Sequence, residues 1–187
     1  MISLEPHYLQ HLSHTSDKDV ILRDLMKAYG EDVWHYAFFI TRKADAADDI
    51  SQEVFLTVYE RMFTFRGECS VKSWLLSITR NKSMNLLRSF FLRKVTLVGE
   101  VFLKETSPSA ESVVFERMQT HRIWKKVMSL PRKFREIVVL DAYYLFTSRE
   151  IAELLRIPEA TVRTRLYRAR RKMTAMLEAE TDGGDTR

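Results

Sequence analysis

From Asp17 onward apolar residues recur every three to four positions: Val20, Ile21, Leu25 and Met26, then Val33, Trp34, Ala37, Phe38 and Ile40. That spacing lays an apolar face along an α-helix. Gly30 falls between the two groups and predicts a break or kink. The next run, 44–63, carries Ile50, Val54, Val58 and Met62 four apart, with Phe55 and Tyr59 widening the stripe and Phe63 assigned to the core. Between Phe65 and Ser70 the pattern stops; Gly67 permits a turn and Ser70 is a good N-cap. A third helix is predicted over 71–92, through Trp74, Leu75, Ile78, Met84 and Leu87. Periodicity then fails over 93–112, where Gly99, Ser107, Pro108 and Ser109 supply linker chemistry. The stretches 95–98 and 101–103 are nonetheless too apolar for a plain tether. Helices resume at 113–128, 131–144, 148–155 and 159–179, the third opened by a capping box of Thr147 and Glu150. Residues 1–16 read as a loose extension and 180–187 as a polar tail.

The expected fold is therefore all-α: two small helical domains, 17–92 and 113–179, joined by a linker at 93–112. Composition supports it, since 5 Gly and 4 Pro among 187 residues leave little material for hairpins or a β-sandwich. One Cys, Cys69, excludes an internal disulfide framework and a Cys-based zinc knuckle, and reads as a small loop residue in a cytoplasmic protein. No apolar run approaches the ~20 residues that span a bilayer. The His-bearing start of the chain does not resemble a signal peptide. Its His7, His11 and His14 have a spacing that usually arises by chance, so no metal or cofactor is assigned.

Charge changes the picture more. The net value of +5 is modest, but its distribution is uneven. Residues 44–60 hold five carboxylates and no Lys or Arg, residues 61–94 carry a net +7, and residues 156–172 a net +6. Two cationic segments and one anionic segment suggest two nucleic-acid contacts and one contact of another kind.

The sharpest local signal is 148–172. A short helix is followed by Arg156-Ile157-Pro158 and then by a long basic helix. In it Val162, Leu166, Ala169, Met173 and Met176 form one narrow apolar stripe. Arg163, Thr164, Arg165, Tyr167, Arg168 and Arg171 then turn outward. This is helix-turn-helix geometry, in which the second helix enters the major groove and its first turns reach base edges. Arg163, Thr164 and Arg165 are base-reading candidates; Arg168, Arg170 and Arg171 are phosphate candidates, and Arg156 in the turn could touch the backbone.

Three further blocks stand in order. They are Asp48-Asp49-Ile50-Ser51-Gln52-Glu53-Val54-Phe55-Leu56, then Phe65-Arg66-Gly67, then Ser73 to Asn81 ending in Leu86-Leu87-Arg88. With Leu130 to Glu136 and the helix-turn-helix, they resemble the extracytoplasmic-function group of bacterial sigma factors over roughly 20–92 and 113–177. The resemblance implies a transcription initiation factor, not an enzyme, so no catalytic residue is assigned. It implies that Asp49, Gln52, Glu53 and Leu56 dock on a coiled coil of the largest subunit of core RNA polymerase. Phe65, Arg66, Lys72, Trp74, Arg80, Asn81 and Lys82 would hold the melted strand of the −10 element, where cations meet phosphate and rings meet unstacked bases. Arg156, Arg163, Thr164, Arg165, Tyr167, Arg168 and Arg171 would read the −35 duplex. Trp74 fits core or base platform equally. An anti-sigma partner is also implied, and no membrane insertion. Met84-Asn85 departs from the family, which commonly has Ile-Asp there.

Two rivals remain at this point. A helix-turn-helix regulator would bind duplex DNA without polymerase, using residues 17–92 for a ligand or for dimerisation. A metal-dependent hydrolase would use the carboxylates of 45–53, against which stands the absence of His near them in sequence.

Overall fold

The computed structural model describes residues 18–96 and 121–182, which fall in two compact units. Among the described residues every regular element is helical. The predicted helix over 113–120, most of the linker, the histidines of the first segment and residues 183–187 lie outside the described residues.

The first unit holds α1 (Lys18–Thr41), α2 (Ala44–Arg61), a 3₁₀ turn (Met62–Thr64) and α3 (Val71–Thr96). Each of the three long helices packs on the other two. Ile21, Leu25, Val33, Phe38 and Phe39 from α1 meet a core that also takes Ile50, Val54 and Val58 from α2 and Leu75 and Leu76 from α3. α1 runs through Gly30 without the expected break. Packing on both sides of Gly30 offsets the roughly 1 kcal/mol that glycine costs in a helix interior. Nearby, burial first and the Asp32 charge second hold the Tyr29 hydroxyl above its ordinary pKa of 10.0. Arg42 ends the helix at φ 61°, its N–H donating to the Phe38 carbonyl at 2.7 Å. This two-residue joint returns the chain antiparallel into α2.

Two further expectations fail in this unit. Phe63 is 43% exposed rather than core, with the Lys18 ammonium 4.9 Å from its ring centre. A lysine stem and charge cover an aromatic face at the surface, which periodicity alone cannot reveal. On α3 the buried face is Val71, Leu75, Leu76, Thr79 and Ser83, whereas Trp74, Ile78, Met84 and Leu87 are only half-buried. Thr79 and Ser83 donate to the Leu75 and Thr79 carbonyls, each at 2.8 Å. A hydroxyl satisfied within its own helix can be buried without an orphaned polar group, and it takes little room between helices.

The second unit holds α4 (His121–Ser129), α5 (Arg132–Ala142), α6 (Ser148–Leu155) and α7 (Glu159–Asp182), with α5 packed against the other three. α7 continues past residue 179, where the tail was expected to begin. Leu130, Phe134 and Ala169 form a cluster on which Val138, Met173 and Met176 pack. The long α7 stripe is thus buried on the side the sequence predicts. Arg135 is 4% exposed, and its Nη1 donates to the Met128 and Leu130 carbonyls, both at 3.0 Å. It pins the end of α4 to the start of α5 by satisfying carbonyls that the helix end leaves open. Among the described residues no buried side-chain nitrogen or oxygen lacks a hydrogen-bond partner, and no helix is long and apolar enough to cross a membrane.

Candidate functional site

Three surfaces collect the residues picked out by charge and pattern. On α2, Ile50, Val54 and Val58 are buried, so the opposite face must look outward. Asp49, Gln52, Glu53 and Leu56 all lie there, exposed and within two turns. Leu56 is 66% exposed amid carboxylates. Asp48, just outside this set, accepts from the Trp34 indole at 2.6 Å and so belongs to the α1–α2 joint.

The second surface is the start of α3 with its preceding loop. Ser70 caps the helix by accepting from the Ser73 N–H at 3.1 Å. Gly67 sits at φ 70°, which favours glycine and lets the loop turn. Arg66 is exposed, its guanidinium 4.0 Å from Glu68; Asn81 is exposed; Arg80 and Lys82 are half-buried. Lys72 lies 2.8 Å from Asp32 of α1, and Lys82 lies 3.2 Å from Glu53 of α2. Phe65 does not offer the free ring expected of it. It is 8% exposed and packs at 5.1 Å between centroids on Trp74, which is itself half-buried. The ring therefore packs beside Trp74 and anchors the start of the loop in the core.

The third surface is built by α6, its turn and α7. The Thr147 side chain accepts from the Glu150 N–H at 3.3 Å, and the Glu150 carboxylate accepts from the Thr147 N–H at 2.8 Å, closing the predicted capping box. Arg156 follows α6 in the left-handed region at φ 55°, with Ile157 N–H on the Ala152 carbonyl and Arg156 N–H on the Glu153 carbonyl. That pair of bonds is a Schellman ending, here without the usual glycine. Val162, Leu166 and Ala169 bury one side of α7. Arg163, Thr164, Tyr167, Arg168 and Arg171 are exposed on the other, while Arg165 is half-buried at the margin of the stripe. Tyr167 is 63% exposed with the Arg171 guanidinium 5.9 Å from its ring centre. Arg163 contacts Glu159 one turn earlier, and Arg170 is drawn to Asp141 of α5 at 3.1 Å.

Sequence reasoning missed the carboxylates that hold these cations. Glu159–Arg163 was legible as an i, i+4 pair. Asp32, Asp141 and the pairing of Glu53 with Lys82 were not, since each joins residues 29 or more positions apart. Among the described residues no group of three His, Cys, Asp or Glu side chains could hold a metal ion.

Comparison with known proteins places this arrangement. The family model for sigma-70 region 2 matches residues 25–89, and that for sigma-70 region 4 matches residues 120–173, together more than half of the chain. The chain is 26% identical over 165 residues to the ECF RNA polymerase sigma factor SigW of Bacillus subtilis, covering 82% of this chain and 87% of that one. It is 26% identical over 159 residues to the ECF sigma factor SigM of the same organism, covering 82% and 93%. In fold it is similar to the sigma factor RpoE of Bartonella quintana, solved in complex with the anti-sigma factor NepR. That likeness has a TM-score of 0.66 and 19% identity over 87% of this chain and 98% of RpoE. CnrH in complex with the cytosolic domain of CnrY gives a TM-score of 0.62 and 22% identity, over 86% and 90%. Both region models lie in chain order on the two units built above, and the chain belongs to the sigma-70 family of RNA polymerase sigma factors, in its extracytoplasmic-function group.

Proposed function

We propose that the chain binds core RNA polymerase through α2 and carries it to promoters through two separate DNA contacts. Asp49, Gln52, Glu53 and Leu56 form the polymerase face. Arg66, Lys72, Trp74, Arg80, Asn81 and Lys82 hold the opened −10 strand. Arg156, Arg163, Thr164, Arg165, Tyr167, Arg168 and Arg171 read the −35 duplex. Residues 17–92 and 113–179 are the two working domains, with 93–112 as the link between them. The chain performs no catalysis itself and acts in the cytoplasm, where polymerase and chromosome are. An anti-sigma protein is its natural restraint, as the anti-sigma factor NepR is found with RpoE.

The observation that carries this reading is Leu56, an apolar side chain 66% exposed among Asp49, Gln52 and Glu53. A lone exposed leucine is ordinary, but one set in a patch of carboxylates has the make-up of a reversible protein contact, where charge steers and one apolar group anchors. DNA would be repelled by the same face. The test is paired. Asp49→Lys with Glu53→Lys abolishes co-purification with core polymerase, and the same full-length variant still retards duplex DNA at low salt. Polymerase binding that survives the reversal refutes the assignment of α2.

A further inference from the structure

Leu56, Tyr59 and Phe63 follow one another at steps of three and four, so they form one ridge along the end of α2 and its 3₁₀ turn. They are 66%, 36% and 43% exposed. The Lys18 ammonium lies 5.4 Å from the Tyr59 ring centre and 4.9 Å from that of Phe63. The described chain begins at Lys18, so residues 1–17 enter the first unit at the ridge itself. Seventeen residues reach about 25 Å even at helical rise, whereas the ridge is about 10 Å long. Among them Leu4 stands four before Tyr8, and Tyr8 and Leu9 stand four and three before Leu12, a spacing that suits one face of a helix. Ser13-His14-Thr15-Ser16 then supplies the polar residues that a chain reversal needs. Between Glu5 and Asp17 the segment has three histidines and no carboxylate, so its middle does not repel Glu53 or Glu60.

We propose that residues 1–17 turn back over this ridge, seat Tyr8, Leu9 and Leu12 on Leu56, Tyr59 and Phe63, and so cover the apolar anchor of the α2 face. The occupant is the chain's own first segment because it is tethered beside the ridge with no linker between. Such a tether gives an effective concentration in the millimolar range, so a contact too weak to hold two separate molecules is populated within one. The competition that follows rests on the polymerase role given to α2 above. Leu56 belongs to the ridge and to the polymerase face alike, so the seated segment and polymerase exclude each other. Polymerase then binds only the chains whose ridge is open, and its apparent affinity falls by that fraction.

The test uses the full chain with Cys69→Ser and a bimane attached through Glu60→Cys, at an exposed position beside the ridge. Tyr8→Trp adds a quencher to the first segment, and emission falls by about two-fold or more at every protein concentration. Leu9→Asp with Leu12→Asp releases the quench, and so does Phe63→Asn. Phe91→Asn removes a more exposed ring at the other end of the unit, where its neighbour Phe90 meets Lys43, and leaves the quench intact. Unchanged emission on Tyr8→Trp, or relief by Phe91→Asn as full as by Phe63→Asn, overturns the proposal. A quench that grows with protein concentration assigns the ridge to a second copy and overturns it as well. In the unlabelled chain, Leu9→Asp with Leu12→Asp tightens core polymerase binding by about three- to ten-fold. Unchanged affinity there overturns the covering of Leu56. The broader reading fails on a different result, polymerase binding that survives Asp49→Lys with Glu53→Lys, and that result does not touch the quench.

Discussion

Gly30 and Leu145 are misplaced in opposite senses, and each makes a prediction whose sign is set by backbone geometry. Gly30 lies within α1, and a Cβ added there meets nothing within 4 Å. Gly30→Ala should raise stability by about 0.5–1 kcal/mol, read as a higher denaturation midpoint with an unchanged slope. Leu145 stands at φ 58° and is 80% exposed, so it has left-handed strain and no burial to offset it. Strain of ~1–2 kcal/mol relieved by Leu145→Gly outweighs the extra freedom glycine has when unfolded, and stability should rise by roughly 0.5–1 kcal/mol. A loss on that substitution would show that Leu145 is held by contacts. Arg135 runs the other way. Arg135→Met keeps the stem but removes two charge-assisted bonds to buried carbonyls, and should cost about 2–3 kcal/mol of unfolding free energy.

At the scale of elements, the helix-turn-helix offers a test that separates reading from holding. Arg163 is in the first turns of α7 and Arg168 lies farther along the exposed side. Arg163→Ala should cost ~1–3 kcal/mol at a preferred −35 sequence and little elsewhere, whereas Arg168→Ala should weaken all duplexes alike and flatten the salt dependence by about one unit. Competition binding with cognate and scrambled duplexes distinguishes them. This region was the most legible in the sequence, because its signals are local: the Thr147–Glu150 box sits three residues apart and the α7 stripe repeats within one helix. α2 was legible for the same reason, its buried Ile50, Val54 and Val58 fixing where the acidic residues must face. α3 was not. Thr79 and Ser83 line its buried side, and hydroxyls carry no apolar signal even when hydrogen-bonded within their own helix. The packing of Phe65 on Trp74 was not legible either, because an aromatic in a cationic loop carries no local sign of whether its ring is buried. The tethers Lys72–Asp32 and Arg170–Asp141 had no local signature at all.

For the molecule as a whole, division of labour follows from charge. One anionic helix face and two cationic surfaces cannot serve the same partner, since a DNA duplex attracts the latter and repels the former. If each proposed DNA contact alone binds weakly, presenting both on one polymerase raises their effective concentration, and the joint affinity should exceed either. The most direct measurement is run-off transcription by purified core polymerase on genomic fragments, with and without the full chain. Discrete transcripts that appear only when the chain is added, and vanish with the Asp49→Lys, Glu53→Lys variant, are the predicted result. A folded chain that leaves core polymerase silent on every fragment, while binding intact duplex tightly by itself, would contradict the account.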